Sequence, residues 1–317
     1  MVFTILNLYA KNNCNYFYKI LLMLSRVNKL ILILIFFGVL LSCNDGDKSL
    51  DQLPDCFSID IKDFKNGINL LVSSNDWEEL KKLRDSALAK KKISKKEKKY
   101  FYAFLQTDSC SAKVRFRFKG DHTDHLWGDK WSFRVKSVNS SFLGENKISI
   151  QSPHTRNFML EWYFHQLMKK EDVISLDYFF FPFSVNDTTN KGVYAFEGHF
   201  SNDLLQSNHK KIGPILKFNE DNVWNAEFLK GVSNRDFQIM LNAEIEICNP
   251  IESDEFLLLS KEAKQKLKML INNQISPAKV LDIEKWGTYI GCMDVFSSAH
   301  HLRWHNIRWY YNPDPKN

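Results

Sequence analysis

The chain has 317 residues, with 43 lysines and arginines against 37 aspartates and glutamates, so its formal net charge is +6. Segment Lys90–Lys99 contains seven lysines and Glu97, which amounts to +6, and the rest of the chain sums to zero. This distribution places the excess positive charge in one short run, and no nucleic-acid partner is expected. It favours a solvated helix face or loop at 90–99 over a contact with an anionic surface.

The first predicted element is an export signal. Arg26 and Lys29 precede twelve residues without a polar side chain, Leu30–Leu41. This run is shorter than the roughly 20 apolar residues of a membrane-spanning helix, and its basic flank is typical of a cleaved signal peptide. The next residues, Ser42-Cys43, complete a likeness to the bacterial lipobox, which predicts a lipid on Cys43. We expect translation to start at Met23 and the mature protein to be lipid-anchored in the bacterial cell envelope, outside the cytoplasm.

Downstream of the lipid site, the organisation predicted from the sequence has three parts. They are a tether at 44–60, an N-terminal helical subregion at 61–105 and a main domain at 106–317. The cysteines of this portion are Cys56, Cys110, Cys248 and Cys292. An even number of cysteines in an exported protein permits two disulfides, and the spacing leaves three pairings open.

The elements are predicted in chain order from periodicity and capping residues. Asn75 is a helix cap that predicts a helix to about Lys92. Apolar and charged residues alternate in two segments, which predicts two half-buried strands, and a third strand completes an antiparallel sheet. These strands are Lys113–Lys119, Lys130–Lys136 and Lys147–Gln151.

Helical and strand patterns then alternate along the rest of the chain. Ser152-Pro153 predicts a helix start, with Met159, Trp162, Tyr163 and Leu167 on the apolar face. Tyr178–Val185 and Gly192–Glu197 predict a hairpin around Asn186–Asn190. The remaining predictions are helices at Glu255–Asn273 and Ile283–Ser298, the second capped by Asp282, and a strand at Asn306–Tyr311.

Cations line one face of the first two predicted strands. They are Lys113, Arg115, Arg117, Lys119, Lys130, Arg134 and Lys136. Such a row predicts an anionic ligand, for which phosphate is the natural candidate. A solvent-facing sheet surface, whose cations pair with acids from elsewhere, explains the pattern equally well.

Six motifs in one order resemble the CotH kinase family, a group of atypical protein kinases related to spore-coat protein H. They run from Arg117-Phe-Lys-Gly120 through Lys130–Lys136, Arg156–Glu161, the 185–197 hairpin and Gly213–Lys217 to His305-Asn306. The resemblance implies an α+β, protein-kinase-like two-lobe fold, in which an antiparallel sheet lobe precedes a mainly helical lobe. It also implies binding of ATP and Mg²⁺, and a protein hydroxyl as substrate.

The resemblance assigns roles to individual residues. Arg134 or Lys136 takes the place of the lysine that holds the α- and β-phosphates, with Glu161 as the carboxylate that orients it. Lys119 lies in the phosphate-binding sheet, and Glu197 lies at the hinge to the helical lobe. Asn306 corresponds to the catalytic-loop asparagine that ligates magnesium.

The chain departs from the family pattern at two places. His301 stands where these kinases carry the aspartate that accepts the substrate proton. The metal-binding aspartate expected after Tyr311 has no counterpart before Asn317, which predicts either a truncated chain or a pseudokinase. A zinc site at His300, His301 and His305 is a third, weaker interpretation.

Two functions therefore remain open at the level of sequence. The first is a membrane-anchored, CotH-like kinase that binds ATP with Mg²⁺ and phosphorylates protein hydroxyls, using His301 and Asn306. The second is a non-catalytic surface lipoprotein that binds a glycan or a protein partner. The ordered set of motifs makes the first function the leading hypothesis, whereas the departures at His301 and at the metal aspartate favour the second.

Overall fold

Seven strands of the described chain close into a barrel. The computed structural model describes residues 53–187, 189–221, 235–296 and 299–314. The strands of the barrel are β2 Ile68–Leu71, β3 Phe101–Gln106, β4 Ser111–Phe118, β5 Phe133–Ser137, β7 Lys147–Gln151, β8 Tyr178–Val185 and β9 Thr189–Glu197. Around the barrel they follow the order β2-β3-β4-β5-β7-β9-β8.

The barrel interior forms the main apolar core. Inward residues alternate with outward ones along each strand, as the pleat requires. On β4, Val114, Phe116 and Phe118 are fully buried, whereas Arg115 between them is exposed. The predicted alternation of this strand is therefore confirmed.

The predicted two-lobe kinase fold is wrong, because the sheet is closed. Neighbouring strands pair antiparallel except at one seam, where β2 pairs parallel with β8 through partners such as Ile68 and Phe183. A kinase-like lobe has an open sheet, and this seam removes both sheet edges. The pairing joins residues more than a hundred positions apart, so it could not be predicted from local periodicity.

The remaining elements surround the barrel. The additional strands are β1 Ser58–Ile59 and β6 Ser141–Phe142, which pair parallel, and β10 Ile215–Phe218, β11 Ile245–Ile247 and β12 Trp309–Tyr310, which form a second sheet with β10 in the centre. The helices are α1 Ile61–Asn66, α2 Ser74–Lys90, α3 Met159–Lys170, α4 Asn202–Ser207, α5 Arg235–Asn242, α6 Asp254–Ile271 and α7 Ile283–Val295. Within the described residues, none of these helices is long and apolar enough to cross a membrane.

Most predicted elements are confirmed, with local differences at their ends. The strands Lys147–Gln151 and Tyr178–Val185 have the predicted bounds, and Asp282 caps α7. The cap of α2 is Ser73, whose hydroxyl accepts a hydrogen bond from the Asp76 amide, rather than Asn75. The last predicted strand shrinks to Trp309–Tyr310.

The segment before α3 differs from the predicted continuous helix. Residues Pro153–Arg156 form a short 3-10 turn, and α3 begins only at Met159. Between them, Asn157 and Phe158 have positive φ angles of 51° and 56°, which interrupts the helix. The buried side of α3 consequently carries Glu161, Phe164, His165 and Met168, whereas the predicted apolar-face residues Met159 and Tyr163 are exposed.

The N-terminal part of the described chain belongs to the barrel. Residues 61–105, predicted to be a helical subregion, contain α1 and α2 but also β2 and β3. Cys56, within the predicted tether, forms a disulfide with Cys110, whereas Cys248 and Cys292 are free thiols. Of the two disulfides that the cysteine count permitted, one is present.

The lysine-rich segment after α2 is a turn-rich loop with a buried acid at its centre. Glu97 is fully buried and accepts hydrogen bonds from Ser86, Ser94 and Lys90. Lys98 pairs with Asp121, and Lys99 pairs with Glu79 at 2.7 Å. Local pairing therefore accounts for part of this charge run.

Candidate anion-binding site

Five cations form two rows on the outer face of three neighbouring strands, and we call them the cation strip. Across β4 and β5, Arg117 lies directly opposite Arg134, and Arg115 lies opposite Lys136. Across β5 and β7, Lys136 lies opposite Lys147. Arg115 is exposed and the other four are partly exposed, so the strip is accessible to a ligand.

In the described part of the chain, no member of the strip forms an ion pair with an acid, although the charge of Glu197 attracts Arg134. No described ion pair includes any of its five members, although like charges directly opposite one another destabilise a sheet. One guanidinium nitrogen of Arg134, Nη1, is buried without a hydrogen-bond partner. This nitrogen is therefore free to donate a hydrogen bond to an acceptor on a ligand.

An aromatic ring supports the strip from β3's side. The Tyr100 ring centroid lies 5.9 Å from the Arg115 guanidinium, 5.4 Å from that of Arg117 and 5.3 Å from the Lys136 amine. Cation–π attraction partly offsets the repulsion among these cations, but it supplies no net negative charge.

Burial and mutual repulsion lower the pKa of two members of the strip, Lys147 and Arg134. Burial, followed by the positive charges of Arg134 and Lys136, lowers the pKa of Lys147 to about 7. Burial also lowers the pKa of Arg134, where the attraction of Glu197 opposes the repulsion of Arg117 and Arg308. These directions are expected where cations are held together without counterions.

The second sheet adds positive charge beside the strip. Lys217 on β10 is close enough to contribute to the lowered pKa of Lys147. The acid beside Lys217 is already engaged, since Glu246 pairs with it at 2.8 Å and accepts a hydrogen bond from the Asn219 side chain at 2.5 Å. Glu246 therefore pairs with Lys217 and not with a member of the strip.

Two of the predicted nucleotide-binding residues form a buried ion pair. The Lys119 amine lies 2.5 Å from a Glu197 carboxylate oxygen, and their exposed fractions are 6% and 9%. Lys119 also contacts Gln151, and Glu197 accepts a hydrogen bond from Ser149 at 3.2 Å. Burial alone raises the pKa of Glu197, but Lys119, Arg134 and Arg156 outweigh it and hold that pKa at about 2. This pair joins the end of β4 to the end of β9.

Glu161, the predicted partner of Arg134 or Lys136, contacts histidines. Its carboxylate oxygens lie 3.1 Å from His301 Nε2 and 3.6 Å from His165 Nε2. The Phe164 ring stacks on the His301 ring with centroids 4.5 Å apart. Among the described ion pairs, none joins Glu161 to a member of the cation strip.

The histidine group and the cation strip lie at two ends of one outward-facing row of residues. The row runs across the barrel from Arg134 through Ser149 and Glu197 to Tyr178, which are successive register partners. The His165 ring then stacks on Tyr178 with centroids 5.5 Å apart. His165 in turn contacts Glu161, which also contacts His301. The row therefore leads from the predicted phosphate-binding residue Arg134 to the predicted catalytic histidine His301.

The other predicted site residues are placed as follows. Asn306 is exposed between the turn at Ala299–Leu302 and β12. Its backbone N–H donates a hydrogen bond to the Arg303 carbonyl oxygen at 2.7 Å. Across the described residues, no group of three histidine, cysteine or acidic side chains could hold a metal ion. Cys43 and the export signal lie outside the described residues.

Sequence reasoning missed Lys147 and Tyr100 as members of this site. Lys147 opens a predicted strand, and the face it shares with Ser149 and Gln151 follows from alternation. Its register with Lys136 depends on which strands pair, and the sequence pattern does not show that. Tyr100 precedes β3, a strand that was not predicted.

Comparison with known proteins adds no assignment. No protein-family model matches this chain, and no curated protein matches it. The likeness to the CotH kinase family therefore remains a prediction, carried by the six motifs alone.

Proposed function

We propose that this protein is a lipid-anchored, extracytoplasmic protein that binds a ligand with several adjacent phosphate groups, a nucleoside triphosphate being the first candidate. The observation that supports the proposal is the cation strip itself. Five cations share one accessible face, and none of them forms an ion pair among the described residues. A polyphosphate supplies the missing acceptors in charge-assisted hydrogen bonds.

The dimensions of the strip favour a chain of phosphates over a single one. Its two rows are two residues apart along the strands, which corresponds to about 7 Å, and three strands span about 10 Å. A single phosphate would leave one row without a counterion. A nucleotide and a phosphorylated glycan share the chemistry that fits this surface.

Two features support the proposed location. The lipobox-like sequence predicts a lipid at Cys43, which would tether the protein to the membrane. The Cys56–Cys110 disulfide is typical of proteins from oxidising compartments.

The described residues do not fit a protein-held Mg²⁺ site. Two acids close to the strip are engaged, Glu197 on β9 with Lys119 and Glu246 on β11 with Lys217. Asp314, which follows β12, pairs with Lys211 at 2.6 Å. We therefore derive no step through a resident metal ion.

Calorimetric titration tests the proposal. Tripolyphosphate and ATP, each with and without Mg²⁺, should bind with an affinity that falls as salt increases, and inorganic phosphate should bind more weakly. Arg134→Gln should lower the tripolyphosphate affinity at least tenfold, because it removes the guanidinium whose Nη1 is buried without an acceptor. Heparin, a sulfated glycan, serves as the competing polyanion.

The matched control is Lys130→Gln, in the connection that leads into β5. The Lys130 amine lies 3.5 Å from the Val193 carbonyl, away from the two rows. This variant should bind tripolyphosphate within twofold of the unmodified protein. If the two variants behave alike, or if only heparin binds, the strip is not a polyphosphate site.

A second candidate is transfer of the terminal phosphate to a protein hydroxyl, with His301 as the base. It is favoured by one observation, the 3.1 Å contact between Glu161 and His301, because a carboxylate fixes the orientation of an imidazole. In this step, the hydroxyl gives its proton to His301 while its oxygen bonds to phosphorus and ADP leaves. Labelled ATP with a mixture of envelope proteins tests it: His301→Gln should abolish label transfer and keep ATP affinity within twofold.

A further inference from the structure

Lys147 occupies an unusual position within the cation strip. It is the first residue of β7, with Lys136 directly opposite on β5. The positive charges of Arg134 and Lys217 also act on its amine. The side chain is partly exposed, and within the described part of the chain its amine has no ion pair or hydrogen bond.

The acids that could pair with Lys147 form ion pairs with other lysines. Glu246, next to Lys217 across β10 and β11, holds that lysine at 2.8 Å. Glu197, one strand away from β7, holds Lys119. The ionisable neighbours that act on the amine are therefore cations from β5 and β10, together with the free thiol of Cys248.

This environment disfavours the charged form of the amine. A lysine with an ordinary pKa keeps less than about 0.1% of its amine uncharged at pH 7. With its pKa lowered to about 7, Lys147 keeps a large fraction uncharged and nucleophilic. Lysines beside other cations are used in this way to form Schiff bases with carbonyl substrates.

We infer that Lys147 is a reactive lysine that condenses with a phosphate-bearing aldehyde held on the cation strip. The amine nitrogen attacks the carbonyl carbon and forms the imine. The carbonyl oxygen leaves as water with the two amine hydrogens, so the step needs no oxidant or reductant. The strip would hold the phosphate, and to that extent the inference rests on the proposed function.

Labelling with pyridoxal 5′-phosphate tests the inference on the unmodified protein. Cyanoborohydride traps the imine at pH 7, and peptide mass spectrometry measures the rate at each lysine. Lys279, which is exposed and has no described ion pair, is the internal reference. Lys147 should be labelled at least tenfold faster than Lys279, tripolyphosphate should suppress that labelling, and pyridoxal without phosphate should label Lys147 more slowly.

The pH profile separates a reactive amine from a merely accessible one. Labelling of Lys147 should rise to a plateau just above pH 7. Lys136→Met removes one like charge, so the midpoint for Lys147 should move to higher pH. A structural role of Lys136 would not move that midpoint.

Two results would overturn the inference, and they differ from a failure of the proposed function. Lys147 labelled no faster than Lys279 in a protein that still binds tripolyphosphate rejects the reactive lysine alone. Equal labelling of Lys147 by both aldehydes, without competition by tripolyphosphate, rejects the phosphate-bearing substrate and counts against the polyphosphate site as well.

Discussion

At the scale of single residues, the cation strip lowers the stability of the ligand-free protein. Each of its cations lies beside others of the same sign, and none of them forms an ion pair among the described residues. Functional sites commonly hold such unfavourable arrangements, which a ligand relieves. Substitutions in the strip should therefore separate stability from affinity.

Lys147→Met should stabilise the ligand-free protein at pH 6.5 by about 1 kcal/mol, because it removes a repelled, partly buried charge. The sign follows from the lowered pKa: between pH 7 and 10.5 the unfolded state binds more protons, so the unmodified protein gains stability as pH rises. The gain from the substitution should shrink accordingly at pH 9.5. Urea unfolding at both pH values measures it, and a loss of stability at pH 6.5 would contradict the argument.

Glu97→Gln should lower the free energy of unfolding by about 1–3 kcal/mol, because a buried acceptor of several hydrogen bonds loses its charge. Burial alone raises the pKa of Glu97, but hydrogen bonds from Ser94, Lys90 and Ser86 lower it to about 2. Its contribution is therefore present above pH 4.5 and is lost as pH falls from 4.5 towards 2.

The control for Glu97 is Glu78→Gln, which breaks an exposed pair with Lys81 at 2.7 Å. We expect a change within about 0.5 kcal/mol. Denaturant unfolding at pH 7 and pH 3 compares the two variants. Equal effects at pH 7 would show that the lysine-rich loop does not depend on its buried acid.

At the scale of elements, the Lys119–Glu197 pair connects β4 with β9 across the outer face of the barrel. Removing either partner leaves the other charge buried without its nearest counter-charge. Lys119→Met or Glu197→Leu alone should each cost about 3–5 kcal/mol, whereas the double variant should cost less than either single one. A double-mutant cycle by urea unfolding measures this coupling. Additive losses would show that the pair is not a unit.

The orientation of α3 also depends on structure outside the helix itself. Its buried side carries Glu161 and His165 among apolar residues, and its exposed side carries Met159 and Tyr163. The positive φ angles of Asn157 and Phe158 change the direction of the chain before the helix begins. This turn places Glu161 next to His301 and so creates the carboxylate–histidine contact.

At the scale of the whole molecule, the Cys56–Cys110 disulfide closes a loop of 54 residues that contains α1, β2, α2 and β3. Chain-entropy arguments give a stabilisation of about 4 kcal/mol for such a loop. The double variant Cys56→Ser, Cys110→Ser should unfold at correspondingly lower denaturant concentration. A reducing agent should destabilise the unmodified protein and leave the variant unchanged, and a reductant-sensitive variant would contradict this assignment.

The sequence by itself determined the local elements and which residues share a strand face. The alternation of β4, the bounds of β7 and β8, the hairpin around Asn186 and the cap of α7 followed from periodicity and turn chemistry. These signals are local, because a strand's pleat and a helix's first turn depend on neighbours within a few residues.

Tertiary structure alone decided barrel closure, the partners of each charge and the protonation of Lys147. Closure depends on the β2–β8 pairing, and the Lys119–Glu197 contact joins residues 78 positions apart. Electrostatics depends on distance and burial in space, so a row of cations in sequence could not show that Lys119 pairs with a buried carboxylate whereas Lys147 has no described ion pair. The site therefore emerged only when three strands were placed side by side.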